Sequence, residues 1–427
     1  MGEVLVIGGG MAGAIAALSA QRAGARVQVV RRSYGATALS SGAVDVAPDV
    51  TAPGGDLRAH LIPIQQAAEQ LARVRPLHPY AVLRASLGRL EESLRFAQGH
   101  LDAVLAPMGE RNLLLPTPAG TAKPTALAQR SQVGAELTSL PDRFAVVAFT
   151  NLPHFDARWV AAGLRQTFQA LGRDVQPVVV TVDFWRQLED ALRSPYELAL
   201  LLEEKGAVER LAQALSSAVP AGIDTVLLPP FLGRTHARLA EALSAASGLR
   251  CVETVATSPS VPGVRLQEAL DRALGAAGIT VLEAEVQPVA FAGGPFALTD
   301  GRSVHADAVV LATGKFIGGG IVRERHFFEP LFSLPVFAGA RVLGEEFVGD
   351  LLGDQVVSDH LAFRAGVRVD ASLQPVGVDG RAVSPHLFAA GAVIAGYDPA
   401  TDKSGLGVAI FTGYLAGEAA ARVRLPG

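Results

Sequence analysis

Two rhythms of apolar residues alternate along the chain, and each predicts its own kind of element. At the amino end a strand-length apolar run, Val4-Leu5-Val6-Ile7, stops at Gly8-Gly9-Gly10. Small apolar residues then recur at helical spacing from Ala14 to Ala23, and a second run, Val27-Gln28-Val29-Val30, follows. Residues 1 to about 45 therefore read as a β-α-β opening. From about 50 to 275 the pattern becomes amphipathic, with apolar faces at helical spacing over 57–74, 81–98, 159–171, 194–218 and 236–247. Strand-like runs at 143–149 and 178–182 interrupt it, and 113–121 reads as a turn-rich hairpin. Residues 264–275 are helical, with Gly278 as the break. Short apolar runs at 279–286, 289–291, 296–298 and 303–306 then form a meander leading into the buried run Ala308-Val309-Val310-Leu311. A charged, glycine-rich excursion from Lys315 to about Arg364 precedes a closing strand, 387–393, and a last helix that starts at Ser404-Gly405-Leu406-Gly407.

This order predicts an α/β fold: a Rossmann-like domain binding a dinucleotide, FAD by the argument below, with a large inserted α+β cap domain. The domain is expected from residues 1–48, 276–316 and 365–427, the inserted cap from 49–275, and a second short excursion over the cofactor from 317–364.

The turn after the first strand carries the chemistry. Gly8, Gly10 and Gly13 stand at G-x-G-x-x-G spacing, with Met11 and Ala12 between them. The first glycine permits the tight turn, the second lets backbone approach a pyrophosphate, and the third lets helix and strand pack closely. The helix start then faces an anion with unpaired N–H groups and its positive dipole end. The end of the second strand departs from the dinucleotide pattern. An acidic residue is expected there for the ribose hydroxyls, but Arg31 and Arg32 occupy it. Three readings stand: an NADP site with arginine on the 2′-phosphate, a flavin site whose ribose is held differently, and a pair of solvated arginines.

The following stretch, with Thr37, Ser40, Ser41 and Gly42, suits a loop passing under a cofactor, since hydroxyls and amides can donate to phosphate or a flavin ring. Two further approaches are expected: the strand end at Thr313-Gly314, and the turn at Gly391-Ala392. The start of the last helix, Ser404-Gly405-Leu406-Gly407, would stabilise negative charge on a reduced flavin.

Composition narrows the setting. Of 427 residues 49% are hydrophobic and 18% charged, below the ~25% charged of an ordinary domain. That describes a well-buried protein with room for a partner-facing surface. The net charge of −4 and the lack of a basic tract argue against nucleic acid. One cysteine, Cys251, rules out an internal disulfide and a multi-cysteine metal or iron–sulfur site, and it reads as a core residue. His78, His100, His154 and His236 show no metal-ligand spacing and read as structural. The apolar amino end lacks the basic region of a signal peptide, and no stretch has the ~20 uninterrupted apolar residues that span a bilayer. A cytoplasmic protein is expected, with any membrane attachment made through a partner.

With these residues in view, the chain resembles the B subunit of anaerobic glycerol-3-phosphate dehydrogenase. The resemblance runs through the amino-terminal glycines, Ser40-Ser41-Gly42-Ala43-Val44-Asp45, Ser258-Pro259-Ser260-Val261-Pro262-Gly263-Val264-Arg265-Leu266, Gly314-Lys315-Phe316-Ile317-Gly318-Gly319-Gly320 with Glu324-Arg325 and Glu329-Pro330, and Leu387-Phe388-Ala389-Ala390-Gly391 with Gly396-Tyr397-Asp398-Pro399. The Pro-Ser-Val-Pro-Gly and Tyr-Asp-Pro stretches are specific; the glycine fingerprint is common to many flavoproteins. That family also lacks the acidic ribose ligand.

The resemblance implies oxidation of sn-glycerol 3-phosphate to dihydroxyacetone phosphate, with electrons passed toward quinone. It implies two partners, a larger catalytic flavin subunit together with an iron–sulfur, membrane-anchoring one. It also implies a location at the cytoplasmic membrane through a partner. The family is described as FMN-containing, whereas a fingerprint that cradles two phosphates favours FAD. Arg325 and Arg265 match as candidates for the substrate phosphate, and His360 is a candidate base; the alternative is that the larger flavin partner performs the oxidation and this chain relays electrons. Two other readings stay open: an independent flavin oxidoreductase on another small substrate, and a flavin-free assembly protein of the complex.

Overall fold

A computed structural model describes residues 2–51, 55–150, 152–184, 194–289, 295–355 and 358–423. The opening forms strand β1 (Glu3–Ile7), helix α1 (Met11–Arg22) and strand β2 (Arg26–Arg31). Much later the chain adds helix α2 (Val261–Ala276), strand β3 (Thr280–Glu283), strand β4 (Ala308–Leu311), strand β5 (Leu387–Ala389) and helix α3 (Gly405–Arg422). The five strands make one sheet in the order β5-β4-β1-β2-β3, and every pairing is parallel. Val4, Leu5 and Val6, with all four residues of β4, are buried, as a parallel sheet covered on both faces requires.

Helices α1 and α3 pack at backbone contact. A Cβ on Gly413 would sit 2.4 Å from the Ala12 carbonyl oxygen, and one on Gly417 2.2 Å from that of Ala16. Alanine on the facing side of α1 completes the close approach, so both helices are buried along most of their length.

The insert builds a second parallel sheet, with Val178–Val182, Ala145–Phe149, Thr225–Leu228 and Arg250–Glu253 in that spatial order. Helices Ala157–Ala170, Ala207–Ala218 and Leu239–Ser247 lie between the strands in sequence. Helices and parallel strands thus alternate in the insert, where the sequence suggested a mixed α+β unit; residues 225–228 and 250–253 are too short and too buried to show a period. The insert has its own core around Phe144, Phe168, Leu211, Leu227 and Phe231. Ile64, Leu71, Leu90, Leu94 and Leu105 join the first core instead, as do Leu266, Leu270 and Leu274 of α2.

Several expected helices are shorter than their patterns. Residues 57–74 split into a 3-10 turn, Arg58–His60, and a helix, Ile64–Val74, with Pro63 at the junction. Residues 81–98 divide into Pro79–Val82, a 3-10 stretch Arg84–Arg89, and Leu90–His100. Residues 194–218 divide into Pro195–Leu201 and Ala207–Ala218, the second helix starting after Gly206, whose φ of +77° is left-handed. The expected hairpin is present as Leu113–Pro116 paired antiparallel with Ala122–Thr125. Of the expected meander, only β3 joins the sheet before β4. Phe296–Ala297 and Ser303–Val304 form a separate hairpin, and the run at 289–291 lies outside the described residues beyond Val289. Among the described residues no helix is long and apolar enough to cross a membrane.

Candidate functional site

The glycine turn is built as tightly as its spacing suggests. Gly8 has a φ of +119°, and a Cβ there would meet the Ala312 carbonyl oxygen at 2.2 Å; one on Gly13 would meet the Gly8 carbonyl oxygen at 1.8 Å. The Gly8 amide donates to the Val30 carbonyl at 2.8 Å, which fixes the turn to β2. Helix α1 begins at Met11 with no side-chain cap from Gly10. Thr37 instead offers its Oγ1 to the Met11 amide at 2.9 Å, while Ala12 and Gly13 keep the unpaired first-turn amides of a helix start. Thr37 therefore ties the hydroxyl-rich loop to the helix start.

That loop is held from the far side by α2 and the insert. Ser260 caps α2 by accepting from Gly263 at 2.9 Å and donates its own hydroxyl to the Ser40 carbonyl at 2.6 Å. Gln129 donates to the carbonyls of Gly42 and Pro262 at 3.1 and 2.7 Å, and Gln132 donates to that of Ser41 at 3.1 Å. Gly42, at φ +83°, lies where a Cβ would be 2.3 Å from Pro262 Cβ. Along α2, positions four apart face the cradle in turn. Gly263 touches the loop, Gln267 donates to the Gly9 carbonyl at 2.8 Å, and Asp271 pairs with Arg31.

Arg31 is thereby spoken for. Its guanidinium lies 2.6 Å from Asp271 and 3.3 Å from Glu283, and its side chain packs over Gly9, where a Cβ would come within 2.5 Å of Arg31 Cδ. Burial lowers its pKa, but the hydrogen bonds and charge of Asp271 and then Glu283 outweigh burial and raise it. A guanidinium neutralised twice is not free to grip a 2′-phosphate, which removes the physical basis of the NADP reading. Nor is Arg31 one of a solvated pair. Only Arg32 is exposed, 3.5 Å from Glu285.

The two later approaches converge on the same place. Thr313 follows β4 with its Oγ1 buried and without a partner, and Gly314 turns with φ +75°. Gly391 follows β5, donates its amide to Thr412 Oγ1 at 2.8 Å and packs so that a Cβ would be 2.5 Å from Ala12 Cβ, with Ala392 beside it in a 3-10 turn. Ser404 precedes α3 and is fully buried, Gly405 and Leu406 are half-buried, and Gly407 donates its amide to the Asp45 carbonyl at 2.9 Å. Backbone too close-packed to bear side chains, helix-start amides and the orphaned Thr313 hydroxyl suit an elongated anionic cofactor such as FAD. Two shallow clefts lie elsewhere, one beside Gly24 and Gly278 at the opposite end of β2, the other between Phe155, Phe231 and Pro259 of the insert.

The expected substrate residues do not form a site. Arg265 has 1% of its side chain exposed and spends every donor inside the protein. It lies 3.1 Å from Glu253 and donates to Gly233 and Leu232 carbonyls, Gln129 Oε1 and Ser131 Oγ. It is a structural ion pair, which corrects its assignment to a substrate phosphate. Arg325 is at the other extreme: its side chain is 87% exposed and pairs loosely with Glu345 at 3.8 Å, so no pocket holds it. His360 is buried, its Nδ1 accepts from the Gly353 amide at 2.9 Å, and its ring meets Phe363 edge-on. That nitrogen is committed to holding a turn. Cys251 is buried in the insert core, where burial pushes its thiol pKa up.

Other groups near the cradle escaped the sequence patterns. Asp45 and Lys123 form an ion pair beside the start of α3, and the Asp45 Oδ1 is buried without a partner. Burial pushes this carboxyl up, against the pull of Lys123. Lys315 donates to the carbonyls of Phe363 and Tyr397 at 2.5 and 3.3 Å, and burial pushes its ammonium down to about 7. Arg364 binds Asp402 through two bonds of 2.8 and 2.9 Å. Lys315, Tyr397 and Asp398 lie within the stretches that carry the family resemblance, but no periodicity marks them as interior.

Comparison with known proteins agrees with this geometry. Residues 3–408 match the family described as FAD binding domain. The probable B subunit of anaerobic glycerol-3-phosphate dehydrogenase from Halobacterium salinarum is 33% identical, over 98% of this chain and 97% of the relative. The corresponding protein of Vibrio cholerae is 28% identical over 97% and 95%. Among solved structures, the 3-ketosteroid-delta4-(5alpha)-dehydrogenase of Rhodococcus jostii RHA1 aligns over 98% of this chain and 97% of its own at 14% identity with a TM-score of 0.42.

Proposed function

We propose, for a chain that belongs to the B-subunit family of anaerobic glycerol-3-phosphate dehydrogenase and carries an FAD binding domain, a role as the FAD-dependent member that takes part in oxidising sn-glycerol 3-phosphate to dihydroxyacetone phosphate and passes electrons toward the quinone pool. The observation that carries the flavin part is the glycine-built junction itself: Gly8 packs on Ala312, Gly13 on Gly8 and Gly391 on Ala12, which gathers the turns after β1, β4 and β5 beside the start of α1. Gly10 to Gly13 would hold the pyrophosphate, and Thr313-Gly314, Gly391-Ala392 and Ser404 to Gly407 would line the rest. FAD, not FMN, suits a turn built for two phosphates. When bound, the flavin supplies the two-electron chemistry, and the protein supplies orientation and electrostatics.

Relatives named as one part of a dehydrogenase call for partner chains. We propose a larger catalytic flavin subunit, joined by an iron–sulfur partner that brings the assembly to the membrane. Arg265 and His360 being occupied with structural bonds favours a chain whose flavin exchanges electrons with a partner. The test is to isolate the tagged chain from its host under native conditions. Bound FAD and two co-purifying chains, one of them rich in cysteine, are expected, with dye-linked oxidation of glycerol 3-phosphate by the assembly. A solitary flavoprotein inert toward glycerol 3-phosphate, with or without its genomic neighbours co-expressed, would refute the proposal and favour an independent oxidoreductase.

A further inference from the structure

The insert's parallel sheet has the connectivity that makes a crevice. In chain order its strands are Ala145–Phe149, Val178–Val182, Thr225–Leu228 and Arg250–Glu253, but in space the first lies between the second and the third. The chain thus leaves the first strand toward one edge and then returns to build toward the other. At such a switch point the connections after two neighbouring strands part, and open α/β sheets bind ligands in the gap beyond the carboxyl ends. Pairing adds to the gap here, because the first strand pairs with the third only at Ala145 and Val146, before it ends at Phe149.

A cleft of about 130 Å³ opens at that place. Leu152, His154 and Phe155 line it from the segment after the first strand, and Pro229, Pro230 and Phe231 from the segment after the third. Thr257, Ser258 and Pro259, beyond the fourth strand, form a further wall with Pro118 of the hairpin.

The chemistry of the lining selects the ligand. A phosphate at a switch point rests on a glycine turn and an open helix start. Here the helix after the first strand, Ala157–Ala170, is closed by Asp156, whose carboxylate accepts from the Arg158 and Trp159 amides at 2.9 and 3.3 Å. Among the described lining residues there is no glycine, lysine, arginine, aspartate or glutamate, so a charged ligand finds no counter-charge. Leu152, Phe155 and Phe231 are buried apolar side chains, and proline rings stiffen the walls around them. The polar groups are those of His154, Thr257 and Ser258, all exposed. An apolar space of roughly 150 Å³ holds one benzene ring, so the volume suits a single ring and is too small for a nucleotide.

We infer that this cleft is a binding site of the insert for a small uncharged ring compound bearing a hydroxyl or carbonyl oxygen. The ring lies against Phe155, Phe231 and the prolines, and His154, Thr257 or Ser258 holds the oxygen at the rim. The site uses none of the residues proposed to hold the flavin. Its wall runs on into Ser260, whose hydroxyl donates to the Ser40 carbonyl, so the ligand borders the residue that anchors the hydroxyl-rich loop.

The test uses the purified full-length chain with its bound cofactor, and 4-fluorobenzyl alcohol as the probe, observed by fluorine NMR line broadening. A dissociation constant of about 5 mM or tighter is expected, in the range open to a ligand of this size. 4-Fluorobenzoate, the same ring with a charge, should bind at least about tenfold more weakly, because the cleft offers no charge to offset its desolvation. Thr257→Phe and Ser258→Trp each place a ring at the exposed rim and should abolish the broadening, while circular dichroism melts show the fold retained. If neither variant folds, the comparison of alcohol with carboxylate carries the test. No broadening of the alcohol, equal binding of the carboxylate, or binding untouched by both variants overturns the site. None of these outcomes bears on the flavin, which is read separately from the cofactor that heat releases.

Discussion

At the scale of single residues, partners remote in sequence decide what a side chain is for. Arg31 reads three ways in sequence because the acid that claims it, Asp271, lies 240 positions away on α2. With its charge matched, Arg31 should confer no affinity for NADPH, and thermal-shift measurements should show no protection of the wild-type protein by NADPH. Protection abolished by Arg31→Glu would restore the NADP reading. Arg265 was equally opaque: it lies in a family-specific stretch, yet its guanidinium is locked to Glu253. Arg265→Ala strands a buried carboxylate and should destabilise the protein by about 3–5 kcal/mol in urea titrations. A substrate-binding arginine would instead raise KM with little change in stability.

His78 makes a further prediction at this scale, with a definite sign. A histidine buried neutral takes up a proton only on unfolding, so the unfolded chain binds more protons between the ordinary imidazole value of 6.5 and about 3. Stability should therefore be level above pH 6.5 on this account and fall as pH drops through that window. His78→Gln should flatten that acid limb in pH-dependent denaturant titrations. An unchanged acid limb would show that His78 is not the group responsible.

Elements were legible where one period persisted and illegible where a single residue interrupted it. The apolar run and glycine turn of β1 and α1 are local signals, as is Val178–Val182, and these need no distant partner to be read. Residues 194–218 carry a continuous helical pattern, but the first helix stops at Leu201 and Gly206, at φ +77°, precedes the start of the second. Gly206→Ala should cost about 1–2 kcal/mol, because its Cβ meets only the flexible end of Arg210 and the expense is backbone strain. A neutral effect in chemical denaturation would mean the break is not needed. The contact between α1 and α3 is a different kind of feature. Gly413 and Gly417 look like helix-weakening residues in sequence, and only the fold shows them against the Ala12 and Ala16 carbonyls. Gly413→Val should destabilise by about 1–3 kcal/mol in the same titrations and loosen flavin retention, since it pushes α3 off the helix that starts at the fingerprint.

For the whole molecule, the alternation of strands and helices at the two ends predicted one parallel sheet assembled from distant segments, and the order β5-β4-β1-β2-β3 has that form. The insert was legible as helices with occasional strands. Its second parallel sheet was not, because Thr225–Leu228 and Arg250–Glu253 are four-residue strands buried throughout or nearly so. Tight packing at Gly8, Gly13 and Gly391 was readable, since close approach leaves a mark in residue type. Gln267 and Asp271, which hold the Gly9 carbonyl and Arg31 from α2, were not, since nothing local distinguishes them from surface or core polar residues. The fold gathers the glycine turns after β1, β4 and β5 at one end of the sheet, with the starts of α1 and α3 beside them, and this is the place proposed to hold FAD. The direct measurement is to purify the chain, release its cofactor by heat and identify it by chromatography. FAD at about one per chain is expected. A colourless protein that takes up neither FAD nor FMN, or one that holds FMN alone, would contradict it.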